Sequence, residues 1–83
     1  MFHKIDTVTP LQDYKIKATF NTGELRVYDV APLAKRFPVF NALLDTPKLF
    51  DLVKVDLGGL GIAWNDEIDL SSDEIWNNGT PST

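Results

Sequence analysis

The chain has no cysteine, a single histidine and no apolar run longer than a few residues. Without cysteine there is no disulfide to staple the fold and no thiolate to act as nucleophile or zinc ligand. His3 alone is too little for a histidine-based metal site. The apolar runs fall far short of the roughly 18 residues that cross a bilayer. Met1–Pro10 has neither the apolar segment nor the small-residue cleavage site of a secretory signal, so a cytoplasmic protein with no membrane partner is expected. Basic residues are also missing from one part of the chain. All eight lie between Lys4 and Lys54, against seven acidic residues through Leu57; from Gly58 on there are five acids and no base. The net charge is −4. An acidic third of this kind repels a phosphate backbone, so nucleic acid is an unlikely partner for the chain by itself.

What is present in the 83 residues is one small domain. A domain of this size buries only about 60% of the surface its unfolded chain exposes, so it must pack economically. Lys4–Pro10 is rich in β-branched residues and reads as a strand closed by proline. After a turn at Asp13, Tyr14–Phe20 alternates strictly, with Tyr14, Ile16, Ala18 and Phe20 on one side and Lys15, Lys17 and Thr19 on the other. Asn21–Gly23 makes a hairpin loop, and Glu24–Val30 returns as the third strand. Helical signals follow: Ala31–Phe37 with Pro32 near its start, Val39–Asp45 with Phe40, Leu43 and Leu44 on one face, and Pro47–Leu52 behind a Thr46 cap. Val53–Leu57 returns to strand, Gly58–Gly61 turns, and Ile62–Trp64 is its partner. A turn at Asn65–Asp66 leads to the extended Ile68–Leu70. Ser71 with Glu74 is a capping box opening a last helix, and Gly79 stands where that helix stops. The domain is expected over residues 1–77, with 78–83 as a flexible tail.

Ile62–Trp76 holds both tryptophans and five carboxylates, which invites a catalytic or metal reading. The residues argue against it. Asp73 and Glu74 suit the first turn of a helix, Asp66 suits a turn, and Asp69 alternates with Ile68 and Leu70. From Asp66 there is no glycine at the sixth position of a calcium loop. No nucleophile has a base beside it, and the three glycines of Gly58–Gly61 have neither the spacing nor the following helix of a phosphate loop. No enzyme, cofactor or metal site is expected. The remaining candidates for binding are a basic face of the hairpin, with Lys15, Lys17, Arg26 and Tyr28, together with Trp64, Asp66 and Trp76.

The order of motifs resembles a family of small bacterial proteins, domain of unknown function 2442. The resemblance rests on residues 8–30 (VTPLQDYKIKATFNTGELRVYDV), the run from Phe40 to Phe50, and residues 61–76 (GIAWNDEIDLSSDEIW). In the last stretch Asn65, Asp69 and Leu70 fit the family pattern, while Glu67 stands where glycine is usual. The resemblance implies a compact α+β domain, alone or joined to a DNA-binding helix-turn-helix, and pairing with another small protein in the manner of toxin–antitoxin systems. It carries no catalytic residues. The expected architecture is α+β: a small, mostly antiparallel sheet with an N-terminal β-hairpin and short helices on one face. The expected function is a non-enzymatic interaction module binding another small protein or a second copy of itself. The alternatives are a small-ligand sensor walled by tryptophan and weak nucleic-acid binding through the basic hairpin face.

Overall fold

The computed structural model describes residues 3–82. Among these residues the strands are β1 (Ile5–Pro10), β2 (Lys15–Phe20), β3 (Leu25–Asp29), β4 (Lys54–Val55), β5 (Gly61–Ala63), β6 (Asp69–Ser71) and β7 (Thr80–Ser82). The α-helices are α1 (Leu33–Arg36), α2 (Asn41–Asp45) and α3 (Ser72–Asn78). Two antiparallel sheets form, ordered β1-β2-β3-β7 and β4-β5-β6. The fold is α+β, with the short helices on one face of the larger sheet. No helix among the described residues is long and apolar enough to cross a membrane.

The alternation of β2 sets the plan. Ile16, Ala18 and Phe20 are buried, while Lys15, Lys17 and Thr19 point to the opposite face. The buried side meets Leu33 of α1, Leu43 of α2, Ile62 of β5, Ile68 and Ile75 of α3 in one core. The helices are one or two turns long and have no stability alone, so their apolar residues hold them to the sheet. Ser71 caps α3: its Oγ accepts the N–H of Glu74 at 3.2 Å, as the sequence pattern requires.

Three segments differ from expectation. Pro47–Leu52 is not an α-helix. Thr46 closes α2 by donating its N–H to the Ala42 carbonyl at 2.9 Å, Lys48 turns left-handed at φ 68°, and only Phe50–Leu52 makes a 3-10 turn. That break rotates Phe50 into the core. The strand expected over Val53–Leu57 shrinks to Lys54–Val55, because Leu57–Gly59 coils into a 3-10 turn. The segment expected as a tail adds a fourth strand to the larger sheet: Thr80 pairs with Val27, Pro81 with Arg26 and Ser82 with Leu25. Pro81 lacks an N–H, and the sheet edge tolerates it there. Thr83 lies outside the described residues.

Candidate functional site

The register of the hairpin decides which candidate residues meet. Lys15 lies opposite Asp29, Lys17 opposite Val27, and Thr19 opposite Leu25. On the other flank Thr9 pairs with Lys17 and Thr7 with Thr19. Thr80 continues the row beyond Val27. One face of the sheet is therefore a lattice of hydroxyls around two lysines and the Asp29 carboxylate, with Val27 and Leu25 half-buried between them. No helix covers it, since the core and all three helices lie on the other side. Among the described residues neither Lys15 nor Lys17 is held in an ion pair. Both ammonium groups are free to meet an anion.

Arg26 and Tyr28, expected on this face, stand on the opposite one. Arg26 pairs with Ala18 and Tyr28 with Ile16, so both point inward. Arg26 is 9% exposed. Its Nε donates to the Trp76 carbonyl at 3.4 Å, its Nη1 faces the Glu24 carboxylate as an ion pair without hydrogen-bond alignment, and its Cζ lies 4.4 Å from the centre of the Trp76 ring. The His3 ring stacks on the same indole with centroids 4.1 Å apart and planes 8° from parallel. Both groups lie against the Trp76 indole. Arg26 is thus a structural residue that seats α3 through a cation–π contact. The hairpin loop carries the signal for this placement. A three-residue loop, Asn21–Gly23, pairs Phe20 with Glu24, so even-numbered residues face even-numbered ones and Arg26 and Tyr28 follow Ile16 and Ala18 inward.

Tyr28 donates its phenol hydrogen to Glu74 Oε2 at 2.8 Å, and Asn78 Nδ2 donates to the same oxygen at 3.0 Å. Burial, then the hydrogen bond to Glu74 and the charge of that carboxylate, push the phenol well above its usual range. The raised group contributes stability that is fully present below the unfolded value of about 10 and is lost as pH climbs from there toward the folded value. In urea unfolding, the wild-type midpoint is expected to fall between about pH 9 and about pH 11, and the fall to be shallower in Tyr28→Phe. Equal slopes in the two proteins would show that Tyr28 does not carry the effect.

Both tryptophans pack against aromatic neighbours. Trp64 is 3% exposed. Its Nε1 donates to the Phe50 carbonyl at 3.1 Å, and its ring meets Phe40 edge-on with centroids 6.1 Å apart. Trp76 also receives the Phe20 ring edge-on at 5.0 Å. Neither lines the two larger clefts. Asp66 is exposed in the β5–β6 turn, where Asn65 Oδ1 accepts the N–H groups of Glu67 and Ile68. Among the described residues no group of three histidine, aspartate or glutamate side chains is placed to hold a metal.

The larger cleft, about 500 Å³, lies between the β1–β2 connection and the segment Leu43–Asp51. The second, about 340 Å³, runs between α1 and β6 and is lined by Leu33, Phe37, Phe40 and Leu70 with Arg36 and Glu74 at its margin. Sequence reasoning found neither, because both arise where separate loops meet.

A small α+β domain with one sheet face left open by its helices is the class these features define. The chain belongs to the family described as protein of unknown function DUF2442, whose model matches residues 5–81. No curated protein matches it. Among solved structures it is similar to a candidate DNA-binding protein from Nitrosomonas europaea, with 28% identity and a TM-score of 0.75 over 92% of this chain. The match spans 48% of that protein's length. This likeness corrects the expectation that nucleic acid is an unlikely partner. Net charge is a poor guide to this fold, because the acids of α3, Asp73 and Glu74, sit on the core side of the larger sheet, away from Lys15 and Lys17.

Proposed function

We propose that this chain is a non-catalytic domain that contacts nucleic acid weakly through phosphates, at the open face of the four-stranded sheet. The likeness to the Nitrosomonas europaea protein over nearly the whole chain carries the reading. The face has the chemistry such contact needs. Lys15 and Lys17 supply charge, and Thr7, Thr9 and Thr19 supply hydroxyl donors in the same rows. Lysines and hydroxyls on a scaffold of fixed spacing position a protein on a backbone without reading bases. Two lysines support modest affinity, so the domain acts beside a stronger nucleic-acid-binding element.

Fluorescence anisotropy with a labelled duplex at low salt tests the reading. Two phosphate contacts predict a slope of about −1.8 for log affinity against log salt. Lys15→Glu with Lys17→Glu is expected to abolish binding with the melting temperature lowered by no more than a few degrees, since no ion pair among the described residues depends on either side chain and the one new repulsion is with Asp29 across the strand pair. Undiminished binding by the double variant, or no saturable binding at low salt, would overturn it.

A further inference from the structure

The larger cleft has a composition unlike the rest of the surface. Its walls carry the apolar side chains of Leu11, Tyr14 and Leu44, each more than a third exposed, over the buried Leu43 and Phe50. Tyr14 stands edge-on to Phe50 with ring centroids 5.4 Å apart. Phe50 is in turn fixed from behind by Trp64 through its carbonyl. The rim carries three carboxylates, Asp13, Asp45 and Asp51, against one ammonium, Lys48. Asp13, Tyr14 and Lys48 are also the three non-glycine residues with left-handed backbone among those described, at φ 62°, 60° and 68°. Such conformations cost free energy and collect at sites whose shape matters.

An anionic rim beside exposed apolar walls rejects phosphate and acidic peptide, and it selects a ligand that carries both a hydrocarbon stem and a cation. We propose that this cleft docks an arginine-bearing basic segment of a partner protein. The arginine stem lies along Leu11 and Leu44. The guanidinium meets the rim carboxylates and the Tyr14 ring, the arrangement in which a planar cation is recognised best. At about 500 Å³ the cleft exceeds one side chain, so an extended segment fills it where a single small amine leaves the walls wet. This site is separate from the open sheet face and does not depend on the nucleic-acid reading.

The probe is a capped peptide, Arg-Ala-Arg-Leu-Arg, titrated into the full chain and followed by amide NMR shifts and calorimetry. Shifts are expected to centre on Tyr14, Leu43 and Phe50. Asp45→Asn with Asp51→Asn removes two exposed partners and is expected to weaken binding about tenfold, with the melting temperature held. Lys48→Asn keeps a residue that tolerates left-handed backbone and removes the like charge, so binding is expected to tighten about twofold. Lys15→Glu with Lys17→Glu is expected to leave the peptide affinity within about twofold, which separates failure of this proposal from failure of the phosphate reading. Four results would overturn the docking proposal: affinity unchanged in the double aspartate variant, shifts confined to the sheet face, spermidine binding as tightly as the peptide, or self-association of the chain through this cleft.

Discussion

Trp64→Ala is expected to remove about 3–5 kcal/mol of stability, the largest loss from any single side-chain truncation in this core. Trp64 is 3% exposed and lies where β5, the Phe50 turn and the Phe40 turn meet. Its ring contacts Phe40 and Phe50, and its N–H satisfies the Phe50 carbonyl. Removing a buried tryptophan costs about 3–5 kcal/mol, from lost transfer energy and the cavity left behind. At roughly 0.05–0.15 kcal/mol per residue, a domain of this length has only about 4–12 kcal/mol of total stability. The substitution removes most of the lower figure. Trp64→Phe keeps much of the ring but strands the Phe50 carbonyl, for a loss of about 1–3 kcal/mol. Urea unfolding followed by far-ultraviolet circular dichroism separates the two, because the transition of Trp64→Ala falls at a lower urea concentration than that of Trp64→Phe. A Trp64→Ala protein that melts within a few degrees of wild type would contradict this account of the core.

The second large effect is expected at Gly59. This residue has φ +73°, which side-chain-bearing residues rarely adopt, and a Cβ added to it would lie 2.7 Å from the Ile5 carbonyl oxygen and 3.2 Å from the Ile5 nitrogen. Those atoms are backbone of β1 and cannot rotate away. Gly59→Ala therefore combines a left-handed penalty of about 1–2 kcal/mol with overpacking of about 1–3 kcal/mol. A total near 3 kcal/mol lowers the melting temperature by about 12–24 °C in a domain of this size. The neighbouring Gly58 is the control. Its φ is +79°, but nothing lies within 4 Å of the added carbon. Gly58→Ala is expected to cost about 1–2 kcal/mol, the conformational part alone. Equal melting temperatures for the two variants would show that the close approach to β1 does not hold the Leu57–Gly59 turn in place.

The hairpin, the α3 capping box and the α+β class were legible from residues 14–30 and 71–74, because alternation and capping are local signals. The phase of β3 was read wrongly for a physical reason. Arg26 and Tyr28 are polar-tipped, and Leu25 and Val27 are apolar, so polarity alone turns the strand the wrong way. Long side chains reverse that expectation by carrying their tips across the core rim to Glu24, Trp76 and Glu74. Loop length was the better guide, and it was already present in Asn21–Gly23. The outward face of Lys15 and Lys17 is legible because Lys15–Phe20 alternates without exception, whereas Tyr14 leaves the alternation for a 3-10 turn. The clefts were not legible, since they depend on how Leu11–Tyr14 meets Leu43–Asp51, a contact between segments far apart in the chain. The pairing of Thr80–Ser82 with β3 was hidden in the same way. Thr-Pro-Ser carries no strand pattern of its own, and tertiary context supplies the partner.

The measurement that bears most directly on the central claim is an amide NMR titration of the isotopically labelled chain with a short DNA duplex at low salt. Contact through the open sheet face predicts salt-sensitive shifts on Thr7, Thr9, Lys15, Lys17 and Thr19, with Ile62, Ile68 and Ile75 unmoved. Shifts gathered on the α1–β6 cleft, or no shifts at any duplex concentration, would contradict it.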